Sequence, residues 1–192
     1  SEDTPMHVGN LQIFSLPEGA PDTFLRDMVN SMKETGDIAP PWCYKLAWSG
    51  FLGRLLAPSW KVDKDIDLDY HVRHSALPKP GGERELGMLV SRLHSNPLDI
   101  VRPLWECHVI EGLENNRFAL YTKMHHSIID GISGVRLLQR VLSTDAEERG
   151  MLPPWSVRPE KHGGRKDDTE AKVPAALSQA LDALKLQADR AP

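Results

Sequence analysis

Residues 124–131 read MHHSIIDG, and they lie where a predicted strand gives way to a predicted helix. Residues 105–112 and 117–124 carry strand-like apolar runs on either side of a polar turn, which predicts a β-hairpin. After Gly131 the apolar residues recur at helical spacing as far as Ser143. The two histidines are therefore expected in a short loop held at both ends by regular structure, a suitable position for a catalytic group.

The residue types in this loop suit proton transfer. Histidine is the side chain that most readily accepts and returns a proton near neutral pH, which makes His125 and His126 candidate catalytic residues. Asp130 could fold back to orient a ring or an arginine, or cap the helix that follows, and the two roles are compatible. Gly131 allows the chain to turn where a side chain would collide.

Two other roles of histidine compete with proton transfer. The adjacent histidines could bind a metal, but no third cysteine, histidine or acidic ligand follows at a helpful spacing, so a metal site is disfavoured. Histidines elsewhere in a chain are more often polar surface residues or hydrogen-bonded core residues than catalysts. That expectation covers His71, His74, His94, His108 and His162.

Strands and helices alternate through the rest of the first part of the chain, which predicts a sheet flanked by helices. Residues 6–14 are predicted as a strand, and a helix is predicted from about Pro21 to Gly36. Residues 64–73, KDIDLDYHVR, alternate apolar and polar side chains and predict a strand with one face in water. Residues 84–95 return to helical spacing before Asn96 and Pro97.

Composition changes near residue 150. Residues 1–149 are interpreted as one domain, and residues 150–172, rich in proline, glycine and mixed charge, as a linker or crossing segment. Residues 173–192 predict a helix whose apolar stripe requires a partner, and we expect it to lead toward a further domain.

Overall composition limits the class of protein. With 192 residues, 40% hydrophobic and 26% charged, the chain is typical of soluble globular proteins, and its net charge of −4 makes nucleic acid a poor candidate partner. Cys43 and Cys107 lack metal-like spacing and favour a reducing compartment. The absence of a signal-like or membrane-spanning run predicts a cytoplasmic location. Residues 51–60, FLGRLLAPSW, favour a core or interdomain segment over peripheral contact with the inner membrane or lipid bodies.

Several motifs carry a family resemblance. HHSIIDG resembles the HHxxxDG motif of acyltransferases that share the chloramphenicol acetyltransferase fold, which also includes the condensation domains of peptide synthetases. Four further stretches are similar to the bacterial wax ester synthase/acyl-CoA:diacylglycerol acyltransferase family: PMHVG (5–9), DLDYHVR (67–73), RPLWE (102–106) and IEGL (110–113).

The resemblance implies a fold and a mechanism. The fold is an α/β (α+β) two-layer sandwich with a mixed sheet flanked by helices, one half of a chloramphenicol acetyltransferase-like enzyme. His126 would be the general base in a tunnel between two similar domains. His125 would support the loop, Asp130 would maintain its geometry, and Gly131 would permit the turn. The donor would be a coenzyme A thioester and the acceptor a long-chain alcohol or diacylglycerol, in a ternary complex with no bound cofactor and no acyl-enzyme. Pro103, Leu104 and Trp105 would shape the tunnel or the domain contact, or be buried strand residues.

Family members are more than twice as long, so the second domain is an expected partner, supplied by the same polypeptide or by a separate chain. The chain alone is expected to be inactive. Two alternatives stay open: a condensation-type or polyketide-associated acyltransferase with a carrier-bound donor, and a non-catalytic lipid-binding or scaffold module.

Overall fold

A mixed four-stranded sheet organises the chain in a computed structural model that describes residues 6–47, 59–129, 131–145 and 147–158. The strands are β1 (His7–Ser15), β2 (Tyr44–Ala47), β3 (Ser59–Val62), β4 (Val72–Ala76), β5 (Trp105–Leu113) and β6 (Arg117–His125). The helices are α1 (Phe24–Lys33), α2 (Leu68–His71), α3 (Glu83–Ser95) and α4 (Gly131–Val141), followed by a 3₁₀ turn at Pro154–Ser156.

The main sheet has the order β1-β6-β5-β4, with β4 parallel to β5 and the other pairs antiparallel. The predicted β5–β6 hairpin is confirmed. Its turn contains Asn115 and Asn116 at φ values of 59° and 57°, in the left-handed region that asparagine tolerates better than most residues. Strands β2 and β3 form a separate two-stranded sheet. The predicted mixed sheet with flanking helices is therefore confirmed.

Each face of the sheet carries its own core, because side chains alternate along β5 and β6. On one face Trp105, Cys107 and Val109 join apolar side chains of α1 and α4. On the other face Ile110, Ala119 and Tyr121 pack with the apolar side of α3. Strand β6 is central to both cores, and it also leads into the histidine loop.

The strand predicted for residues 64–73 is wrong over most of its length. Residues 68–71 form helix α2, and only from Val72 does the chain enter β4. The Asp67 side chain accepts hydrogen bonds from the backbone N–H groups of Asp69 and Tyr70, at 3.1 and 3.2 Å, which caps one turn of helix. The alternation of apolar and polar residues wrongly predicted a strand here, because capping by Asp67 stabilises a helical turn instead. His71, the last residue of this turn, is buried and does not face water.

A stack of aromatic rings joins distant parts of the first core. The Trp105 ring stacks on His71 at 4.4 Å on one side and on Trp155 at 5.0 Å on the other, and its indole N–H donates to the Trp42 carbonyl at 2.9 Å. The Ala39 N–H donates to the Trp155 carbonyl at 2.7 Å. Part of the predicted linker, residues 151–158, therefore packs on the domain through Trp155, while the boundaries at 149 and 172 stay predictions.

His71 makes folding stability depend on pH. Burial lowers its pKa below 6.5, although its ring donates from Nδ1 to the Trp105 carbonyl at 2.7 Å. Because the unfolded chain then binds a proton more readily than the folded one, His71 contributes full stability above about pH 6.5, and this contribution falls as pH decreases toward the folded pKa. We expect His71→Phe to lose less stability than the wild type between about pH 8 and pH 5.5.

Urea denaturation of both proteins at the two pH values measures this effect. His7 and His125 also have lowered pKa values, so His71→Phe should reduce the pH dependence without abolishing it. Equal pH dependence in the two proteins would contradict the assignment.

Several predicted features lie outside the described residues. These are residues 51–58 of the apolar FLGRLLAPSW stretch, Asp130, His162, and the helix predicted at 173–192. Among the helices that the structure describes, none combines the length and apolar character needed to cross a bilayer.

Candidate active site

The histidine loop begins where β6 ends, and backbone hydrogen bonds hold it on both sides. The His125 N–H donates to the Leu104 carbonyl at 2.9 Å, and the His126 N–H donates to the Met6 carbonyl at 2.8 Å. The Ile128 N–H donates back to the His125 carbonyl at 2.9 Å and closes a turn. The loop is therefore fixed to the chain just before β1 and just before β5, so that the position of both histidines depends on the sheet.

His125 is engaged within the loop. Its Nδ1 accepts a hydrogen bond from the Ser127 backbone N–H at 3.2 Å, and the Ser127 hydroxyl lies 2.7 Å from the same atom. Burial lowers the pKa of His125, and the neighbouring rings of His7 and His126 act in the same direction. A neutral ring that bonds to the loop backbone fits the predicted supporting role better than a role in proton transfer.

The His126 side chain is exposed and lines a cavity of about 420 Å³. This is the arrangement that a catalytic base requires, because a ring sealed inside the core could not reach a substrate. The volume falls within the range of small-molecule sites in proteins.

The sheet forms one wall of this cavity. The cross-strand neighbours Val8 and Met124 line the cavity. The next pair on the same face of the sheet, Asn10 and Thr122, also lines it. The opposite walls come from α1, α4 and the segment before the 3₁₀ turn, with the side chains Met28, Met32, Val135, Leu137, Leu138, Val141, Met151 and Leu152. Most of the lining is apolar, which suits a hydrocarbon chain.

The other predicted residues occupy different positions. Gly131 is the first residue of α4, and Asp130 lies outside the described residues. Pro103, Leu104 and Trp105 are buried and are not among the cavity-lining residues. Leu104 nevertheless contacts the site through its carbonyl, which accepts from His125, and Trp105 packs edge-on against Trp42, a cavity residue.

On the opposite face of the sheet, behind the histidine loop, a buried network of charged residues was not predicted. The Lys123 ammonium, fully buried, lies 3.4 Å from Glu106 and donates to the carbonyls of Leu93 and Asn96 at the end of α3. His108 lies 3.3 Å from the same carboxylate. The signal in the sequence was a glutamate and a lysine inside otherwise apolar strands, in positions that face each other when β5 pairs with β6.

No metal is indicated by the arrangement that the structure describes. Within residues 6–47, 59–129, 131–145 and 147–158, no three histidine, cysteine, aspartate or glutamate side chains lie close enough together to hold a metal ion.

Comparison with known proteins gives the same fold and places the chain in a family. The family model for the wax ester synthase/diacylglycerol acyltransferase catalytic domain matches residues 1–191. The O-acyltransferase WSD of Acinetobacter baylyi is 41% identical over 174 residues, which are 91% of this chain and 36% of that protein. A Mycobacterium tuberculosis protein named a probable diacylglycerol O-acyltransferase is 43% identical over 96% of this chain and 38% of its own length.

Solved structures of other proteins share the fold of this chain. The wax ester synthase/diacylglycerol acyltransferase from Marinobacter aquaeolei VT8 superposes with a TM-score of 0.73 at 39% identity, over 98% of this chain and 43% of that one. The first condensation domain of the calcium-dependent antibiotic synthetase gives a TM-score of 0.51 at 19% identity, over 70% of this chain and 30% of that one, which shows a shared fold alone. The chain thus spans about two fifths of the relatives it matches, and it belongs to the wax ester synthase/diacylglycerol acyltransferase catalytic domain family.

Proposed function

We propose that this chain is the histidine-bearing part of an O-acyltransferase that moves a fatty acyl group from a coenzyme A thioester to a long-chain alcohol, a diacylglycerol or both. The observation that carries the proposal is the exposed His126 ring on the wall of a largely apolar cavity, in a chain of this family. An apolar cavity accommodates the hydrocarbon chain, and a base at its wall can meet the reactive end.

In the proposed reaction both substrates bind before any bond changes. His126 takes the proton of the acceptor hydroxyl as that oxygen attacks the carbonyl carbon of the thioester. The tetrahedral intermediate then collapses, the carbon–sulfur bond breaks, and the coenzyme A thiolate receives the proton from the imidazolium. The base is regenerated without an acyl-enzyme, and the ester leaves as product. Bringing alcohol, thioester and base together removes much of the entropic barrier.

The proposal is tested by measuring coenzyme A release and lipid products in the complete protein that contains this chain. Palmitoyl-CoA is supplied with hexadecanol and a diacylglycerol in competition, and thin-layer chromatography separates wax ester from triacylglycerol. Ester formation that requires palmitoyl-CoA supports the proposal. A strong preference for a palmitoyl group carried on a pantetheinylated carrier protein would instead support a condensation-type enzyme.

We expect residues 1–192 alone to give no thiol release above background, because relatives in this family use more than twice this length and part of their substrate site would be missing. A colorimetric thiol assay is suitable for this measurement. Cys43 and Cys107 are buried, and burial raises the pKa of Cys107 to about 12, so that the protein's own thiols react slowly. Robust release by residues 1–192 would contradict this expectation.

A further inference from the structure

Three polar side chains interrupt the apolar sheet wall of the cavity, Asn10 and Gln12 on β1 and Thr122 on β6, and the first and last of them face each other. Asn10 on β1 and Thr122 on β6 are direct cross-strand neighbours, and both line the cavity that His126 lines. Their neighbours on the same face are Val8 and Met124 on one side and Leu120, opposite Gln12, on the other. Facing pairs in a sheet have closely spaced side chains, so the amide and the hydroxyl form a single polar position.

The hydrogen-bonding capacity of this pair is largely unused. The Asn10 Oδ1 atom is buried and has no hydrogen-bond partner among the residues that the structure describes. The Thr122 hydroxyl contacts only the Cys107 sulfur there, at 4.0 Å, and a thiol sulfur is a weak acceptor. Burying a polar group without a partner is unfavourable, so such positions in proteins usually have a partner that a ligand or water supplies.

The pair lies away from the reacting end of the site. His126 is anchored to the Met6 carbonyl, and Asn10 follows Met6 by four residues along β1. At the rise of an extended strand this separation is roughly 13 Å. The backbone anchor of His126 and the backbone of Asn10 thus lie at different points along β1, and we assign Asn10 to a substrate group other than the reacting hydroxyl.

We propose that Asn10 and Thr122 bind a second oxygen of the substrate, a hydroxyl or ester oxygen carried beyond the reacting group, and thereby favour oxygenated lipids over plain hydrocarbon chains. The Asn10 Oδ1 atom accepts a hydrogen bond from a hydroxyl, whereas an ester oxygen accepts one from the Asn10 NH2 group or from the Thr122 hydroxyl. This inference rests on the proposed function, because it assigns an occupant to the same cavity.

Three comparisons of substrates identify where the second oxygen comes from. Ricinoleoyl-CoA against oleoyl-CoA tests a hydroxyl on the donor chain, and ricinoleyl alcohol against oleyl alcohol tests one on the acceptor chain. Diacylglycerol against oleyl alcohol tests an ester oxygen. In the complete protein, we expect Asn10→Leu to lower the ratio of kcat/KM values, oxygenated over plain, by about fivefold in at least one comparison.

Thr122→Val, which replaces the hydroxyl by a methyl group of similar size, should lower the same ratio by a smaller factor. Ser15→Leu is the matched control, because it makes a polar-to-leucine change at an exposed position on β1 whose side chain points to the other face of the sheet. This control should leave every ratio unchanged. Thermal unfolding of each variant shows whether the fold is retained.

Unchanged ratios in Asn10→Leu and Thr122→Val, with acyl transfer intact, would overturn this inference and leave the proposed function standing. Failure of every substrate to react would overturn the proposed function instead. Displacement of a fluorescent fatty acid by ricinoleyl or oleyl alcohol then still measures the preference of the cavity. A preference for ricinoleyl alcohol that Asn10→Leu abolishes supports the polar position, and equal displacement in both proteins overturns it.

Discussion

His126→Ala is expected to lower the kcat/KM for acyl transfer by about a hundred- to ten-thousand-fold in the complete protein, the range typical of a lost general base. Without the imidazole, the acceptor hydroxyl must lose its proton to water while its oxygen attacks the thioester. Stability should change by less than about 0.5 kcal/mol, because the ring is exposed and the loop is held by backbone hydrogen bonds. Steady-state kinetics and urea denaturation measure the two quantities separately.

Two other histidine variants serve as controls. His74→Ala removes a ring on β4 that pairs with Glu111 at 3.0 Å and is not among the cavity-lining residues, so activity should be retained. His125→Ala should give an intermediate loss, because the bonds to Ser127 that shape the loop disappear while the base remains. Retention of a third or more of wild-type activity by His126→Ala would assign the proton transfer to another group.

The position of this loop could be predicted from the sequence because both of its flanks carry local signals. The hairpin before His125 shows strand-like apolar runs around a polar turn, and the helix after Gly131 shows a regular stripe. Each signal lies within about 20 residues of the histidines. Local sequence patterns predict the structure correctly when tertiary packing favours the same elements, and here the two cores that include β6 side chains do so.

The lining residues of the cavity could not be predicted, because its walls come from segments far apart in the chain. Met28 and Met151 contribute to one lining, although each belongs to a stretch that is unremarkable by itself. The sequence also did not predict that Asn10 lines the cavity, since a polar residue in an edge strand usually faces water. Helix α2 was missed for a different reason: one capped turn and a strand show the same polar alternation over so few residues.

The buried charge network behind β6 supports a second large effect, this time on stability. Lys123 is fully buried, and Glu106 is its one carboxylate partner among the described residues. Burial alone would raise the pKa of Glu106, but the hydrogen bond from His108 and the charges of Lys123 and Arg73 outweigh it and hold that pKa below its usual value. The carboxylate is therefore ionised near neutral pH, and it compensates an ammonium that no water reaches.

We expect Glu106→Leu to lower the free energy of unfolding by about 3–5 kcal/mol, because it leaves the Lys123 ammonium buried without a counter-charge. The double variant Glu106→Leu with Lys123→Met should be more stable than this single variant, since both charges are then absent. It should still be less stable than the wild type, because the Leu93 and Asn96 carbonyls lose the hydrogen bonds from Lys123. Urea denaturation of the three proteins gives the comparison.

Glu111→Leu is the matched control, because it makes the same change on the same strand in a pair that water reaches. Glu111 is 43% exposed and lies 3.0 Å from His74, and pairs of this kind contribute about 0.2–1 kcal/mol. A loss in Glu106→Leu no larger than that in Glu111→Leu would show that the Lys123 charge is compensated by other means. A double variant less stable than Glu106→Leu would show that the two helix-end hydrogen bonds of Lys123 outweigh the cost of burying its unpaired ammonium.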